Sequence, residues 1–132
     1  MIEIRNFCQK NVNQNWLKKI ASAVLKREKE KNLELSIVLV GQSKIKKLNK
    51  QYRRRNRPTD VLSFSYNGSG EVVICLEQVK KNAKKFKSSF KTELKRVLIH
   101  GILHLLGYDH EKSINEAKRM RKKEEIYLSS II

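Results

Sequence analysis

The sequence predicts a single domain that mixes strands and helices around one enclosed helix, and three observations predict it. Strand-length runs rich in β-branched residues stand at "LELSIVLVG", "VLSFSY" and "EVVICL". Apolar residues at helical spacing recur between and beyond them. From Val97 to Leu106 nearly every residue is apolar or small, and a helix that is apolar all round must be covered on every side by the rest of the fold. A chain of 132 residues can bury one ordinary core, so residues 1–132 are expected to form one domain.

The elements follow in chain order. "MIEIRN" alternates apolar and polar residues and suits a short strand with one face on the core. Trp16, Leu17, Ile20, Ala21, Val24 and Leu25 make a helical stripe that ends in the charged run "KREKEKN". "LELSIVLVG" becomes apolar on both faces toward its end and predicts a central, covered strand. Ser43 offers an N-cap for a short helix with Ile45, Leu48 and Tyr52 facing inward. "VLSFSY" and "EVVICL" flank "NGSG", a loop tolerant of positive φ, and predict an antiparallel hairpin. Val79, Ala83 and Phe86 mark a narrow-faced, lysine-studded helix. The core helix follows, with Gly107 as the residue that can stop it in the left-handed conformation. Ser113 and Glu116 form a capping-box pair for a last helix whose apolar side runs through Ile114, Ala117, Met120, Tyr127 and Leu128.

Thirty Lys and Arg against thirteen Asp and Glu leave a formal charge of +17, which favours a polyanionic partner, nucleic acid first among them. Cys8 and Cys75 are far apart and belong to no C-x-x-C pair, so they are expected as buried free thiols rather than a disulfide framework or a cysteine zinc site. The amino terminus carries no signal-like apolar run and no segment is long enough to span a bilayer, so a cytoplasmic protein without membrane partners is expected.

All three histidines lie within "HGILHLLGYDH", at the spacing H-x-x-x-H-x-x-G-x-x-H. Four residues apart on an α-helix, His100 and His104 project from one face and can grip one ion. His110 can return to that ion once the helix stops, and Gly107 is the residue type that permits the reversal. Three imidazoles leave a fourth tetrahedral position open, as in catalytic rather than structural zinc sites. Zinc is the first expectation for one ion per chain, with nickel, copper or iron as other occupants of an all-nitrogen site. Peptidases of the metzincin type have a glutamate after the first histidine, where this chain has Gly101. That glutamate is their general base, so its absence argues against peptide hydrolysis and leaves Asp109 or Asp60 as candidate bases.

With "RPTDVLSFSY", "GEVVICLEQV" and "HGILHLLGYDH" together, the chain resembles the bacterial YbeY family of rRNA maturation factors from about Asn49 to the carboxyl terminus. Met120 and Glu124, in the pattern M-x-x-x-E, fit the same family. The resemblance implies a zincin-like α+β fold, with a mixed four-stranded sheet and helices around the apolar helix that carries His100 and His104. It also implies a metal-dependent endoribonuclease that acts on single-stranded ribosomal RNA in maturation and quality control, with the ribosome or ribosomal proteins as further partners. The family's metal ligands fall on His100, His104 and His110, and its N-x-x-Y-R block on Asn49, Tyr52 and Arg53. Arg53 thereby inherits the role of the cleft arginine. The chain departs from the family pattern in its very basic "RRNR" after Arg53 and its short loop after Tyr66.

A zinc ion on three neutral imidazoles brings the pKa of a bound water to about 7. A guanidinium such as that of Arg53 forks onto phosphate oxygens where a lysine acts as a point charge. Arg54, Arg55, Arg57, Lys44, Lys46, Lys47 and Lys50 are candidates to track an RNA backbone, with Tyr52 or Tyr108 as stacking faces. Asp60 is expected to cap a turn or to orient a ligand histidine. Two readings compete: a metzincin-like metalloprotease, and a non-catalytic RNA-binding assembly factor with a structural metal.

Overall fold

The computed structural model describes residues 1–131. In chain order the elements are β1 (Ile2–Asn6), α1 (Gln14–Arg27), β2 (Glu34–Val40), α2 (Gln42–Arg53), β3 (Val61–Tyr66), β4 (Ser69–Cys75), α3 (Leu76–Lys85), α4 (Phe90–Leu105) and α5 (Ile114–Ser130). The four strands form one sheet in the order β1-β2-β4-β3. β1, β2 and β4 run parallel, and β3 is an antiparallel edge strand. The expected α+β architecture with a mixed sheet is therefore the one the chain adopts.

Side-chain alternation distributes the core over both faces of the sheet. Leu35, Ile37, Leu39, Val72 and Ile74 face the larger cluster, shared with α1, α3, α4 and α5. Val40, Val73 and Cys75 face a smaller one, which Ile45 of α2 and Leu62 close. The double apolar character of "LELSIVLVG" thus reflects a strand covered on both sides. The hairpin forms as expected but is tighter: Tyr66 pairs with Ser69, leaving Asn67 and Gly68 as a two-residue turn with Gly68 at φ +80°.

Several local expectations are corrected. Gly41, not Ser43, caps α2, which starts at Gln42 and runs for 12 residues. Tyr52 does not face inward; it is 59% exposed near the end of α2, because the inward row there is carried by Ile45 and Asn49. Phe86 and Ile114 are also mostly exposed, each at the end of its helix, and Phe86 has the charged side chains of Lys85 and Arg96 over its ring. Cys75 is buried and Cys8 only half-buried, both as free thiols. Ser113 caps α5 by accepting from the Glu116 N–H at 3.1 Å, as its spacing predicted. Among the described residues no helix is long and apolar enough to cross a membrane.

Candidate metal-binding cleft

Helix α4 is the spine of the site. Ser89 caps it, accepting from the Thr92 N–H, and nine of its sixteen residues are buried, so its position is set by the core on nearly every side. His100 and His104 leave it on the one side that borders a cleft. Gly101 lies between them against the sheet. A Cβ there would stand 2.7 Å from Cγ1 of Val72 and 2.9 Å from Cγ2 of Val61, far inside ordinary contact distance. Ser63 locks the approach, its Oγ donating to the Gly101 carbonyl at 2.7 Å. A side chain there, the glutamate of metalloproteases included, would require the helix or the two valines to shift.

Gly107 ends the helix at φ +104°, a conformation suited to a residue without a Cβ. The Tyr108 N–H bonds back to the Leu103 carbonyl at 3.1 Å and the Gly107 N–H to that of His104 at 3.1 Å, closing the last turn. The chain then carries Asp109 and His110 back along the cleft. Tyr108 anchors this return: buried, it donates from its hydroxyl to Glu28 Oε1 at 2.8 Å. Tyr127 of α5 donates to the other oxygen of the same carboxylate, and Lys123 pairs with it at 3.2 Å. Burial works against the Glu28 charge, but these three donors outweigh it and hold its carboxyl below the usual range. In turn, burial and the bond to Glu28 push the Tyr127 hydroxyl up to about 12.

The rings of His100 and His110 are 5.3 Å apart and those of His104 and His110 6.1 Å apart, centre to centre. Ligand atoms of His104, Asp109 and His110 lie within 4.8 Å of one another, so this trio could hold a metal ion. Two nitrogens on one zinc are at most about 4 Å apart, twice the usual bond. The trio's spread of up to 4.8 Å is close to that limit, and its nitrogen and carboxylate donors suit zinc and its neighbours; His100, predicted as a ligand, is not one of the trio. The His104 imidazole is held below its ordinary pKa, chiefly by burial and then by the neighbouring His100, which favours the neutral, ligating form. His100 Nδ1 is 2.7 Å from Glu124 Oε1; in the tautomer with its proton on Nδ1 the ring donates to the carboxylate and Nε2 is the nitrogen with the lone pair.

Arg53 reaches the same cleft from the end of α2. Arg54 closes that helix in the left-handed conformation at φ 56°, which turns the chain so that Arg55 follows Arg53 back toward the site. Asn49, 2% exposed, steadies the turn: its Nδ2 donates to the Arg57 carbonyl at 2.8 Å and its own carbonyl accepts from the Arg55 N–H at 3.3 Å. Arg53 and Arg55 both address Glu111 Oε1, at 3.1 and 3.7 Å, and His110 Nε2 is 3.8 Å from the same oxygen. Asp60 also lines the cleft, but its Oδ2 accepts from Asn82 at 3.3 Å and its carbonyl from the Cys75 N–H, the bonds of a residue that starts β3.

The cleft has a volume of about 640 Å³ and brings Arg53, His100, His104 and His110 together with Tyr52, Phe64 and Asp109. Tyr108 does not join as a stacking face, since it is buried against Glu28. Two participants were not assigned a part from sequence. Glu124 was noted for its spacing, but its hold on His100 spans 24 residues and has no local signal. Glu111 has a local signal, since a carboxylate directly after the third histidine points back toward the site.

Comparison with known proteins gives consistent matches. The family model described as Endoribonuclease YbeY matches residues 3–132. The chain is similar to an Endoribonuclease YbeY of Petrotoga mobilis, 42% identical over 93% of this chain and 89% of that protein. It is also similar to one of Aquifex aeolicus, 38% identical over 93% of this chain and 87% of the relative. A solution structure of a Thermotoga maritima protein superposes with a TM-score of 0.72 at 36% identity, covering 99% of this chain and 89% of that one.

Proposed function

Because the chain belongs to the YbeY endoribonuclease family, we propose that it is a cytoplasmic endoribonuclease that cuts single-stranded RNA during ribosomal RNA maturation. The observation that carries this reading is the meeting, in one cleft of a +17 chain, of three histidines and the Asp109 carboxylate with two arginines. His100, His104 and His110 are the residues that would hold zinc. When bound, zinc supplies Lewis acidity toward a phosphoryl oxygen and acidifies water to a pKa of about 7.

The chain's own residues do the rest. Partial burial favours the neutral, ligating form of His104, and Glu124 bonds to Nδ1 of His100 and orients its ring. Asp109, whose carboxylate lies beside the His104 and His110 nitrogens, accepts the proton from the oxygen that attacks phosphorus and returns it to the leaving ribose oxygen as that P–O bond breaks. Arg53 clamps the phosphate with its planar fork, and Arg55 adds a second positive charge. In the free protein Glu111 engages both guanidinium groups, so an incoming phosphate takes the place of that carboxylate. The exposed Arg54, Arg57, Lys44, Lys46, Lys47 and Lys50 extend the positive surface away from the cleft for the flanking phosphates. The metalloprotease reading is disfavoured because the Gly101 position has no room for a side chain.

The test is cleavage of a defined single-stranded RNA by purified protein, before and after chelation and zinc return, with protein substrates alongside. His104→Ala is expected to lose metal and cleavage together while RNA binding largely persists. Arg53→Ala is expected to lower turnover with metal content intact. Undiminished cleavage by His104→Ala would overturn the assignment.

A further inference from the structure

We propose that Tyr52 is a base-stacking platform: one unpaired nucleobase lies on its ring while the adjoining phosphate meets Arg53 and Arg55. This rests on RNA being the substrate and specifies how the cleft selects single strands.

Tyr52 is 59% exposed, an unusual position for a large aromatic residue on a helix whose other apolar residues turn to the core. Phe64 of β3 holds it in place; the two ring centres are 5.0 Å apart and their planes meet at 69°, an edge-to-face contact. Phe64 packs in turn against the smaller core cluster. Tyr52 is thus a braced aromatic ring rather than a loose side chain, and both rings line the cleft that contains the three histidines. An apolar protein side chain or a lipid would meet Arg53, Arg55 and Arg57 in the same stretch of surface, whereas a nucleotide presents a π-face beside a negative charge. Tyr52 and Arg53 are consecutive, so base and phosphate would be read by neighbouring positions of one helix end. A base inside a duplex is covered on both faces by its stacked neighbours and cannot use such a ring. The platform therefore discriminates against paired RNA without reading sequence.

The experiment uses the zinc-loaded full chain and short single-stranded RNAs carrying the fluorescent base 2-aminopurine at successive positions. With wild-type protein, fluorescence should be quenched at one position of the bound strand. Tyr52→Trp should keep the quenching, and Tyr52→Leu, which preserves apolar bulk against Phe64, should lose it. Tyr52→Leu should also raise KM about tenfold or more, in line with the measured worth of base–aromatic stacking, with a smaller change in kcat. Tyr66→Ala serves as control, since Tyr66 is equally exposed but does not line the cleft. Unchanged KM and retained quenching in Tyr52→Leu would overturn the proposal while leaving the endoribonuclease reading intact. Loss of metal or of melting temperature in that variant would make Tyr52 a structural residue and overturn it equally. A wild-type protein that neither binds nor cuts RNA would refute the functional reading itself, and the platform with it.

Discussion

Replacing Gly101 by alanine tests the closeness of α4 to the sheet, on which the whole cleft depends. The added Cβ would sit 2.7 Å and 2.9 Å from methyl carbons of Val72 and Val61, where carbon atoms normally rest about 3.5–4.0 Å apart. Neither valine can swing aside freely: both are stiff at χ1, and Val72 is fully buried. Relief must come from moving the helix away from β3 and β4 by about an ångström, which also stretches the bond from Ser63 to the Gly101 carbonyl. Overpacking of this kind costs about 1–3 kcal/mol. Alanine in place of a mid-helix glycine returns about 1 kcal/mol. The net expectation is a loss of about 1 kcal/mol, which for a chain of this size lowers the melting temperature by about 3–5 °C. Function should suffer more than stability. His100 and His104 ride on the displaced helix while His110 is tied through Tyr108 to Glu28, and an ångström of misplacement at a reacting centre can cost about a hundredfold. Urea unfolding with linear extrapolation, paired with zinc affinity and turnover, measures both. A Gly101→Ala protein that is more stable than its parent and cleaves RNA as well would refute the close approach.

Two further predictions address the supports of the site. Glu124→Ala is expected to weaken zinc binding about 10- to 100-fold, read by competition with a chromogenic chelator, because His100 loses the carboxylate that orients its ring; undiminished affinity would mean the ring is positioned by packing alone. Glu28→Gln removes a charge that accepts from Tyr108 and Tyr127 and should cost about 1–2 kcal/mol at neutral pH. The folded carboxyl is held below its ordinary pKa, so its stabilisation is fully present above the unfolded value and is lost as pH falls through the folded one. The deficit of Glu28→Gln relative to wild type should therefore shrink in acid, and a deficit that stays constant down to acid pH would contradict the assigned ionisation.

The readings that held concern short-range patterns. Apolar residues on both faces of "LELSIVLVG" mark a strand covered on both sides, and "NGSG" marks a hairpin, although the structure narrows its turn to Asn67 and Gly68. The misplaced residues lie at element ends. Tyr52, Phe86 and Ile114 each continue the apolar stripe of a helix yet stay mostly exposed, because periodicity carries no information about how far a neighbouring element covers a helix end. Gly41 took the cap from Ser43 because β2 delivers the chain to α2 two residues sooner than the hydroxyl suggests.

At the site the same division appears. Local sequence determined that His100 and His104 share a helix face, that the helix stops at Gly107 and that His110 follows within reach, because helical geometry and a glycine's freedom act over a few residues. Only the tertiary structure decided that Arg53 arrives beside them from α2, that Glu124 of α5 grips His100, that Glu28 of α1 anchors the loop bearing His110, and that Gly101 has no room for a carboxylate. Those contacts join positions 24 to 80 residues apart, and they exist only once the two faces of the sheet have been covered and the helices have settled at fixed distances from it.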